Sequence, residues 1–322
     1  MNGKQRFLAA MEGLPVDRVP VTFYAHKNGA QAHIDWVRST GMDGIAVEPE
    51  GYYGVHRQVD FPLHTLADLR RLRPFAKDHP YIAGQVDCAA RVCEAVGQDT
   101  AVFTMLFTPF SVIKHTLGGE HAVMELYRED PQSFCQVMDV MEQNNLTLME
   151  SLKERTALDG LFISFQNAEK WRFTPGEYQA LLSPYDARLL QAAQSAYTHN
   201  IFHLCSWGNE PNHIGLWQHY DFGTVNWGVF QEENLSLRQG RSFFRPGTTV
   251  MGGFDRLPQG VLHSGSREEI IAFTHNLIRE TGSERLILCA DCSVEHDVPD
   301  EHIRWVIEAA SAFASTERSL SE

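Results

Sequence analysis

Short apolar runs of β-type residues alternate along the chain with longer stretches in which apolar residues recur at helical spacing. No low-complexity linker, charge block, short repeat or glycine-rich phosphate fingerprint interrupts this alternation. Eight strand-helix units close a (β/α)8 barrel, so the pattern predicts an α/β fold with one TIM-barrel domain over residues 1–322. A doubly wound open sheet is the alternative. The predicted strands are 19–25, 44–48, 100–107, 160–165, 200–205, 223–227, 249–254 and 285–289.

Two helices have clear starting signals. Asp130 precedes Pro131, which is the usual order of an N-cap residue and a first helical residue. Apolar residues then form one helical stripe at 134, 137, 138, 141, 148 and 152, ahead of the strand at 160–165. A last helix is predicted from Asp300, after the eighth strand, and a loose polar tail over 315–322.

Charge and composition narrow the class of protein. The chain carries 27 Lys and Arg against 41 Asp and Glu, a net charge of −14, which disfavours binding to nucleic acid or to an anionic membrane surface. Residues 1–13 lack the apolar stretch of a signal peptide, and we expect a cytoplasmic protein without membrane spans. Six cysteines are too few for a secreted disulfide framework, so reduced thiols are expected.

Polar residues end most of the predicted strands, where the active site of a TIM barrel lies. They include groups that bind metals and groups that transfer protons. Glu48 and Glu50 suit acid-base chemistry, although a solvated loop explains them equally well. No G-x-S-x-G nucleophile motif occurs. The residues are His26, Lys27, Glu48, Glu50, Thr108, Gln166, Asn167, His203, Cys205, Asn226, Asp255, Cys289, Asp291 and Cys292.

A metal site is one interpretation of these polar residues at the strand ends. His203 and Cys205 are two residues apart on a strand, so their side chains point to the same face, and Cys292 follows the last strand. One histidine and two thiolates suit Zn²⁺ and leave a position open for catalysis. If Cys289 is a fourth ligand, the site is a structural zinc site, which is one alternative. In the other, Cys205, Cys289 and His203 are ordinary buried core residues.

An aromatic cluster surrounds the fifth and sixth predicted barrel strands. Core packing explains it, and a flat apolar wall for a macrocyclic ligand above the metal is the functional alternative. Its members are Trp207, Trp217, Tyr220, Phe222, Trp227 and Phe230.

Several motifs, in their order along the chain, resemble the uroporphyrinogen decarboxylase-like superfamily. They are RFLAA at 6–10, PVDRVPV at 15–21, FTPFS at 107–111, DGLF at 159–162, HLC at 203–205, VNW at 225–227, MGGFD at 251–255, and Cys292 ahead of DVP at 297–299. The resemblance covers nearly the whole chain and implies a TIM barrel.

The resemblance also separates two branches. Porphyrinogen decarboxylases carry an arginine-rich segment after the first strand, and residues 23–29 contain no arginine here. Cobalamin-dependent methyltransferases of the methylcobalamin:coenzyme M type carry a zinc motif that His203, Cys205 and Cys292 match. Some relatives add a carboxylate ligand from strand six, where this chain has Asn226, so Asp255, water or substrate is the candidate fourth ligand.

We therefore expect a zinc-dependent methyltransferase that moves a methyl group between a methylated corrinoid, free or carried by a corrinoid protein, and a small thiol or folate. Its rivals are a decarboxylase with Lys27 or His26 in place of the arginines, and a non-enzymatic tetrapyrrole-binding module with a structural zinc. The expected roles are Zn²⁺ ligation by His203, Cys205 and Cys292; acceptor orientation by Gln166 and Asn167; polar contacts by His26, Glu48 and Asp255; and corrinoid contact by Trp207, Asn226 and Trp227.

Overall fold

A computed structural model describes residues 1–232 and 235–321, without the side chains of Glu120, Trp207 and residues 317–321. In this described part, seven strands form one parallel sheet in which each strand pairs with the next along the chain. All strand residues are buried, as in parallel sheets covered on both faces. The strands are β1 Gly44–Val47, β2 Ala101–Phe107, β3 Gly160–Phe165, β4 Ile201–Leu204, β5 Thr224–Trp227, β6 Thr249–Phe254 and β7 Leu286–Ala290.

Helices cover the outside of this sheet, and the described residues contain thirteen α-helices. The last of them packs against both the twelfth and the second, so the two ends of the helical layer meet. None of the described helices combines the length and the apolar character of a membrane span. They are α1 Gly3–Glu12, α2 Gly29–Thr40, α3 Leu66–Leu69, α4 Pro80–Val96, α5 Pro109–Thr116, α6 Glu120–Glu129, α7 Pro131–Arg155, α8 Pro175–Leu181, α9 Ser183–Ala196, α10 Leu237–Phe243, α11 Val261–Ser264, α12 Arg267–Thr281 and α13 Asp300–Ser321.

The two predicted helix starts are confirmed. The Asp130 side chain accepts the Ser133 N–H ahead of α7, and α13 begins at Asp300. The tail expected over 315–322 differs, because α13 continues to Ser321. The hydroxyls of Ser311 and Ser315 donate to carbonyls one turn back, which satisfies these polar side chains within the helix. Residue 322 lies outside the described residues.

The predicted strand at 19–25 forms a single β-bridge, between Val21 and Leu288, so the described residues show seven strands and not eight. Side chains take the N–H groups that a strand ladder needs. The Val21 N–H donates to the Asp43 carboxylate at 2.8 Å, and the Phe23 N–H donates to the Met42 sulfur at 3.1 Å. The position before Val21 is proline, which has no N–H to donate.

This segment still lies between the two edges of the sheet. The Thr22 N–H donates to the Leu288 carbonyl at 3.0 Å, and the Asp43 N–H, next to β1, donates to the Val21 carbonyl at 2.9 Å. The result is a TIM-barrel-like α/β fold in which a short bridged segment occupies the place of the eighth strand.

Helix α1 covers the end of the sheet at which the strands begin. The Phe7 ring lies where a Cβ on Gly44 would stand, 2.7 Å from that point, and the Thr249 hydroxyl donates to the Met11 carbonyl at 3.1 Å. Gly44 and Thr249 are the first residues of β1 and β6. This end is therefore covered, and a cavity lies at the opposite end, where the strands finish.

Candidate metal centre and active-site cavity

Three metal-binding side chains meet at the end where the strands finish. His203 lies on β4, Cys205 follows that strand, and Cys292 lies two residues after β7. One ligand atom from each lies within 4.8 Å of the others, and the two sulfurs are 4.0 Å apart. Two strands separate β4 from β7 in the sheet, so the curl of the sheet brings these residues together.

The His203 ring is held by Asn226 on the neighbouring strand β5. The Asn226 amide nitrogen donates to the carbonyls of Met251 and Ala290, at 2.9 and 3.1 Å, which turns its oxygen toward His203 Nδ1 at 2.6 Å. Tyr24 donates its hydroxyl to the same oxygen at 2.9 Å. An amide oxygen only accepts, so Nδ1 carries the proton and Nε2 has a free lone pair.

That lone pair fits a metal ion. His203 Nε2 is buried, and it makes no hydrogen bond to the residues that the structure describes. Buried polar atoms normally have a partner, and a histidine that ligates a metal commonly donates its other N–H to an oxygen. A nitrogen and two sulfurs are a donor set typical of Zn²⁺, and three protein ligands leave one position open.

The two thiols interact strongly with each other. The hydrogen bond from Cys205 stabilises a thiolate at Cys292 and lowers the pKa of Cys292 well below its ordinary value. The same hydrogen bond, together with burial, raises the pKa of the Cys205 thiol. A thiolate at Cys292 is therefore favoured, and thiolate is the form that binds a metal.

Cys289 does not join this group. It lies on β7, is fully buried in the core, and falls outside the three-residue cluster found among the described residues. This placement favours the three-ligand site over the four-ligand alternative.

A cavity of about 680 Å³ opens beside the three ligands, within the range of small-molecule sites. It contains the predicted residues His26, Glu48 and Gln166 with the metal ligands. Burial lowers the pKa of His115, another lining residue, to about 3, so this imidazole is neutral near pH 7. The lining residues are Tyr24, His26, Glu48, Tyr53, His56, Met105, Phe107, His115, Ser164, Gln166, His203, Cys205, Ser206, Gly208, Arg256, Cys292, Ser293, Val294, Glu295 and His296.

Glu48 and His26 form a pair on one wall of this cavity. Glu48 is 2% exposed, and its Oε2 lies 3.3 Å from His26 Nδ1. Burial acts to raise the pKa of Glu48, but hydrogen bonds from His26, Tyr53 and Ser293 outweigh it and keep this pKa below its ordinary value. The hydrogen bond with Glu48 raises the pKa of His26. The wall thus holds a buried carboxylate beside a basic imidazole.

Two other predicted polar contacts lie outside the cavity lining. Asn167 has a φ of 80° and is buried, and its amide donates to the Ser111 hydroxyl at 2.9 Å. The Asp255 carboxylate accepts the Leu257 N–H at 2.9 Å, so it is used within its own loop. By contrast, Gln166 faces the cavity, and its oxygen accepts from the buried Lys114 ammonium at 2.7 Å.

The predicted corrinoid contacts are separated by strand alternation. Asn226 points inward to His203, whereas Trp227 points outward, is fully buried, packs on Phe244 at 5.2 Å and donates to the Leu235 carbonyl. Trp227 is therefore a core residue, and the prediction that it forms a wall over the metal is not supported by its position. The side chain of Trp207 lies outside the described part of the structure.

Sequence reasoning missed several side chains of the site. Tyr24 holds Asn226 and lies two residues before His26, so strand alternation in the segment 19–25 was the signal that could have found it. Tyr53 and Lys114 carried no such signal, because a loop brings Tyr53 to the cavity wall and helix α5 places the buried Lys114 behind Gln166.

The comparisons with known proteins agree with this fold. The fold is similar to that of a methyltransferase from Methanosarcina mazei, with a TM-score of 0.72 and 14% identity over 97% of this chain and 99% of that chain. It is also similar to a B12-independent methionine synthase from Shewanella sp. W3-18-1 solved with selenomethionine, with a TM-score of 0.52 and 13% identity over 90% of this chain and 86% of that chain.

At identities of 13 and 14% the structural likeness shows a shared fold. The search of curated proteins found no match to this chain. The family model described as uroporphyrinogen decarboxylase (URO-D) matches residues 39–313, which is most of the chain. On that match the chain belongs to the uroporphyrinogen decarboxylase family.

Proposed function

We propose that this protein is a zinc-dependent methyltransferase that carries a methyl group from a methylated corrinoid to a small thiol. The observation that carries the proposal is the buried, unbonded Nε2 of His203 beside two thiols at the edge of a cavity. The structural likeness to a protein named methyltransferase supports it. A folate is the other acceptor that the sequence suggests.

The residues of the site divide into holding and orienting groups. His203, Cys205 and Cys292 would hold Zn²⁺, and Asn226 would fix the ring of His203 for that purpose. A bound zinc ion lowers the pKa of a thiol that binds to it, which makes a good nucleophile near neutral pH. Gln166, which is fixed by Lys114, would present its amide to the acceptor from the cavity lining.

The transfer itself is a displacement at the methyl carbon. The acceptor sulfur supplies the electron pair of the new S–C bond, and the pair of the Co–C bond stays on the cobalt, so Co(III) becomes Co(I). The cavity has room for a small acceptor, and a methylated corrinoid bound at this end of the barrel would supply the methyl group. Two exposed rings on the loops after β3 and β5, Trp171 at 47% and Phe230 at 52%, suit contact with a corrinoid protein.

The decarboxylase alternative has less support from the cavity. Among its described lining residues, Arg256 is the only arginine, and it lies 3.7 Å from Glu295. Of the two proposed substitutes for the missing arginines, Lys27 lies over the Trp36 ring at 4.5 Å and does not line the cavity, whereas His26 does line it. A substrate with several carboxylates would therefore meet one basic imidazole, and not the group of arginines that normally holds such carboxylates.

The test starts with metal analysis of the purified protein, for which we expect about one zinc per chain. Demethylation of methylcobalamin is then followed by absorbance with a panel of thiols and folates. We expect turnover that depends on the acceptor and falls by orders of magnitude in His203→Ala or after zinc removal. Release of CO₂ from a carboxylated substrate by the zinc-free protein, without methyl transfer to any acceptor, would overturn the proposal.

A further inference from the structure

A chain of hydrogen bonds crosses the cavity wall beside the metal ligands. His26 Nδ1 lies 2.8 Å from the Tyr53 hydroxyl, and that hydroxyl donates to Glu48 Oε2 at 2.6 Å. The other Glu48 oxygen accepts from the Ser293 hydroxyl at 3.1 Å. Ser293 follows Cys292 directly, so this network and the metal site share one wall.

The network fixes the tautomer of His26. A tyrosine hydroxyl has one proton, and the proton of Tyr53 is given to the Glu48 carboxylate, which only accepts. Toward His26, the Tyr53 oxygen therefore acts as an acceptor, and His26 Nδ1 must carry a proton. In the neutral ring the lone pair is then on Nε2.

Glu48 is held firmly enough to fix the tautomer of His26. Its carboxylate is buried, and its backbone N–H donates to His33 Nε2 at 3.0 Å. By contrast, the His26 side chain is 52% exposed and lines the cavity, so Nε2 remains accessible to a ligand. A fixed Glu48 carboxylate therefore lies beside a His26 imidazole that a ligand can reach.

Other charged and titratable groups also face His26. Glu48 and Glu50 raise its proton affinity, and the Cys292 thiolate acts in the same direction. The His296 ring lies 6.4 Å from it, and Tyr53 separates it from the neutral His115. The negative groups closest to His26 therefore make its neutral ring a stronger base.

We propose that His26 is the proton acceptor of this cavity, with Tyr53 and Glu48 as its positioning residues. The inference rests on the proposed function, because its substrate is the acceptor thiol. The S–H bond breaks, its electron pair stays on the sulfur, and the proton forms a bond to His26 Nε2. Glu48 stabilises the resulting imidazolium through the Nδ1 proton, and the extra proton leaves to solvent after the methyl transfer.

Proton release during thiol binding tests this inference without measuring activity. The zinc-loaded protein is titrated with 2-mercaptoethanol in a calorimeter at pH 8, in two buffers of different ionisation enthalpy. In the wild type the protein takes up the thiol proton, so little reaches the buffer. His26→Gln is expected to release about one proton more per thiol bound. His56→Gln removes an exposed imidazole from the same cavity and is expected to behave as the wild type.

The outcomes separate the two proposals. Equal proton release from the wild type and His26→Gln, with thiol bound in both, overturns the role of His26 and leaves the methyltransferase intact. No thiol binding to the zinc-loaded wild type overturns both.

A second measurement tests the positioning residues without metal or thiol. NMR of the His26 ring is expected to show the Nδ1–H tautomer in the wild type and a lower pKa of His26 in Glu48→Gln. If the buried Glu48 variant does not fold, Tyr53→Phe provides the same test on a partly exposed residue. This variant is expected to lose the single-tautomer signature of His26. An unchanged tautomer and pKa in these variants would contradict the positioning role.

Discussion

Asn226 Oδ1 lies 2.6 Å from His203 Nδ1, and the Asn226 amide nitrogen is held by two backbone carbonyls. The orientation of one amide therefore decides which nitrogen of His203 faces the two thiols. A histidine that ligates a metal depends on such a partner for its tautomer and its aim.

The first prediction follows from this pair. Asn226→Ala removes the acceptor for Nδ1–H, so zinc affinity is expected to fall roughly 10- to 100-fold. Competition with a chromophoric chelator measures the change. Trp227→Phe, at the next position on the outward face of β5, serves as the matched control and is expected to keep the affinity. Equal affinities in the Asn226 variant and the wild type would contradict the role of Asn226.

Cys289 and Cys205 provide a matched pair of cysteine variants. Cys289→Ala is expected to retain zinc and to lower the free energy of unfolding by about 1 kcal/mol, because it removes one buried sulfur from the core. Cys205→Ser is expected to lose most of the zinc while its circular dichroism stays unchanged. Metal analysis and urea unfolding of both variants check this. Loss of zinc from the Cys289 variant would favour the four-ligand structural site.

The buried carboxyl group of Asp186, which is not part of the cavity lining, is expected to make the stability of the protein depend on pH. Burial raises the pKa of this carboxyl to about 7, and its Oδ2 accepts the Tyr178 hydroxyl at 2.6 Å. The folded state holds the proton more tightly than the unfolded state, whose pKa is near 3.8. The contribution of Asp186 to the free energy of unfolding is therefore complete at a pH below its pKa in the unfolded state. It is lost as the pH rises through its pKa in the folded state.

Asp186→Asn mimics the protonated form at every pH. Its gain in unfolding free energy over the wild type is expected to grow between pH 4 and pH 7 and to level off above, at roughly 4 kcal/mol as an upper bound. Urea unfolding across this range measures it. A gain that does not change with pH would show that Asp186 is not protonated in the folded protein near neutrality.

Asp43 joins the bridged segment to the rest of the sheet. This buried carboxylate accepts from Arg6 and Arg18, both at 2.7 Å, as well as from the Val21 N–H. Asp43→Ala leaves two largely buried guanidinium groups without this partner, so we expect a loss of about 3 kcal/mol in unfolding free energy. Thermal and urea unfolding check the loss. Asp68→Ala, in the first turn of α3, where the Asp68 carboxylate accepts the Thr65 N–H near the surface, is expected to cost much less and serves as the control.

The sequence alone determined seven of the eight predicted strands and the starts of two helices, because these elements depend on the spacing of neighbouring apolar residues and on local capping. It also determined that His203 and Cys205 share a face, since two residues are one full repeat of a strand. The family resemblance was visible for the same reason, as its motifs follow one another along the chain, and the match over 39–313 confirms it.

Only the tertiary structure decided the rest. It brought the Cys292 sulfur to 4.0 Å from the Cys205 sulfur and turned Asn226 inward and Trp227 outward. It also paired the N–H of Val21 with the Asp43 carboxylate and not with a neighbouring strand. These relations join residues that are far apart in the chain, and each depends on how the sheet curls and which side chain reaches a given backbone group first. Local spacing contains no information on such distances, so a sequence specifies the candidates and the fold selects among them.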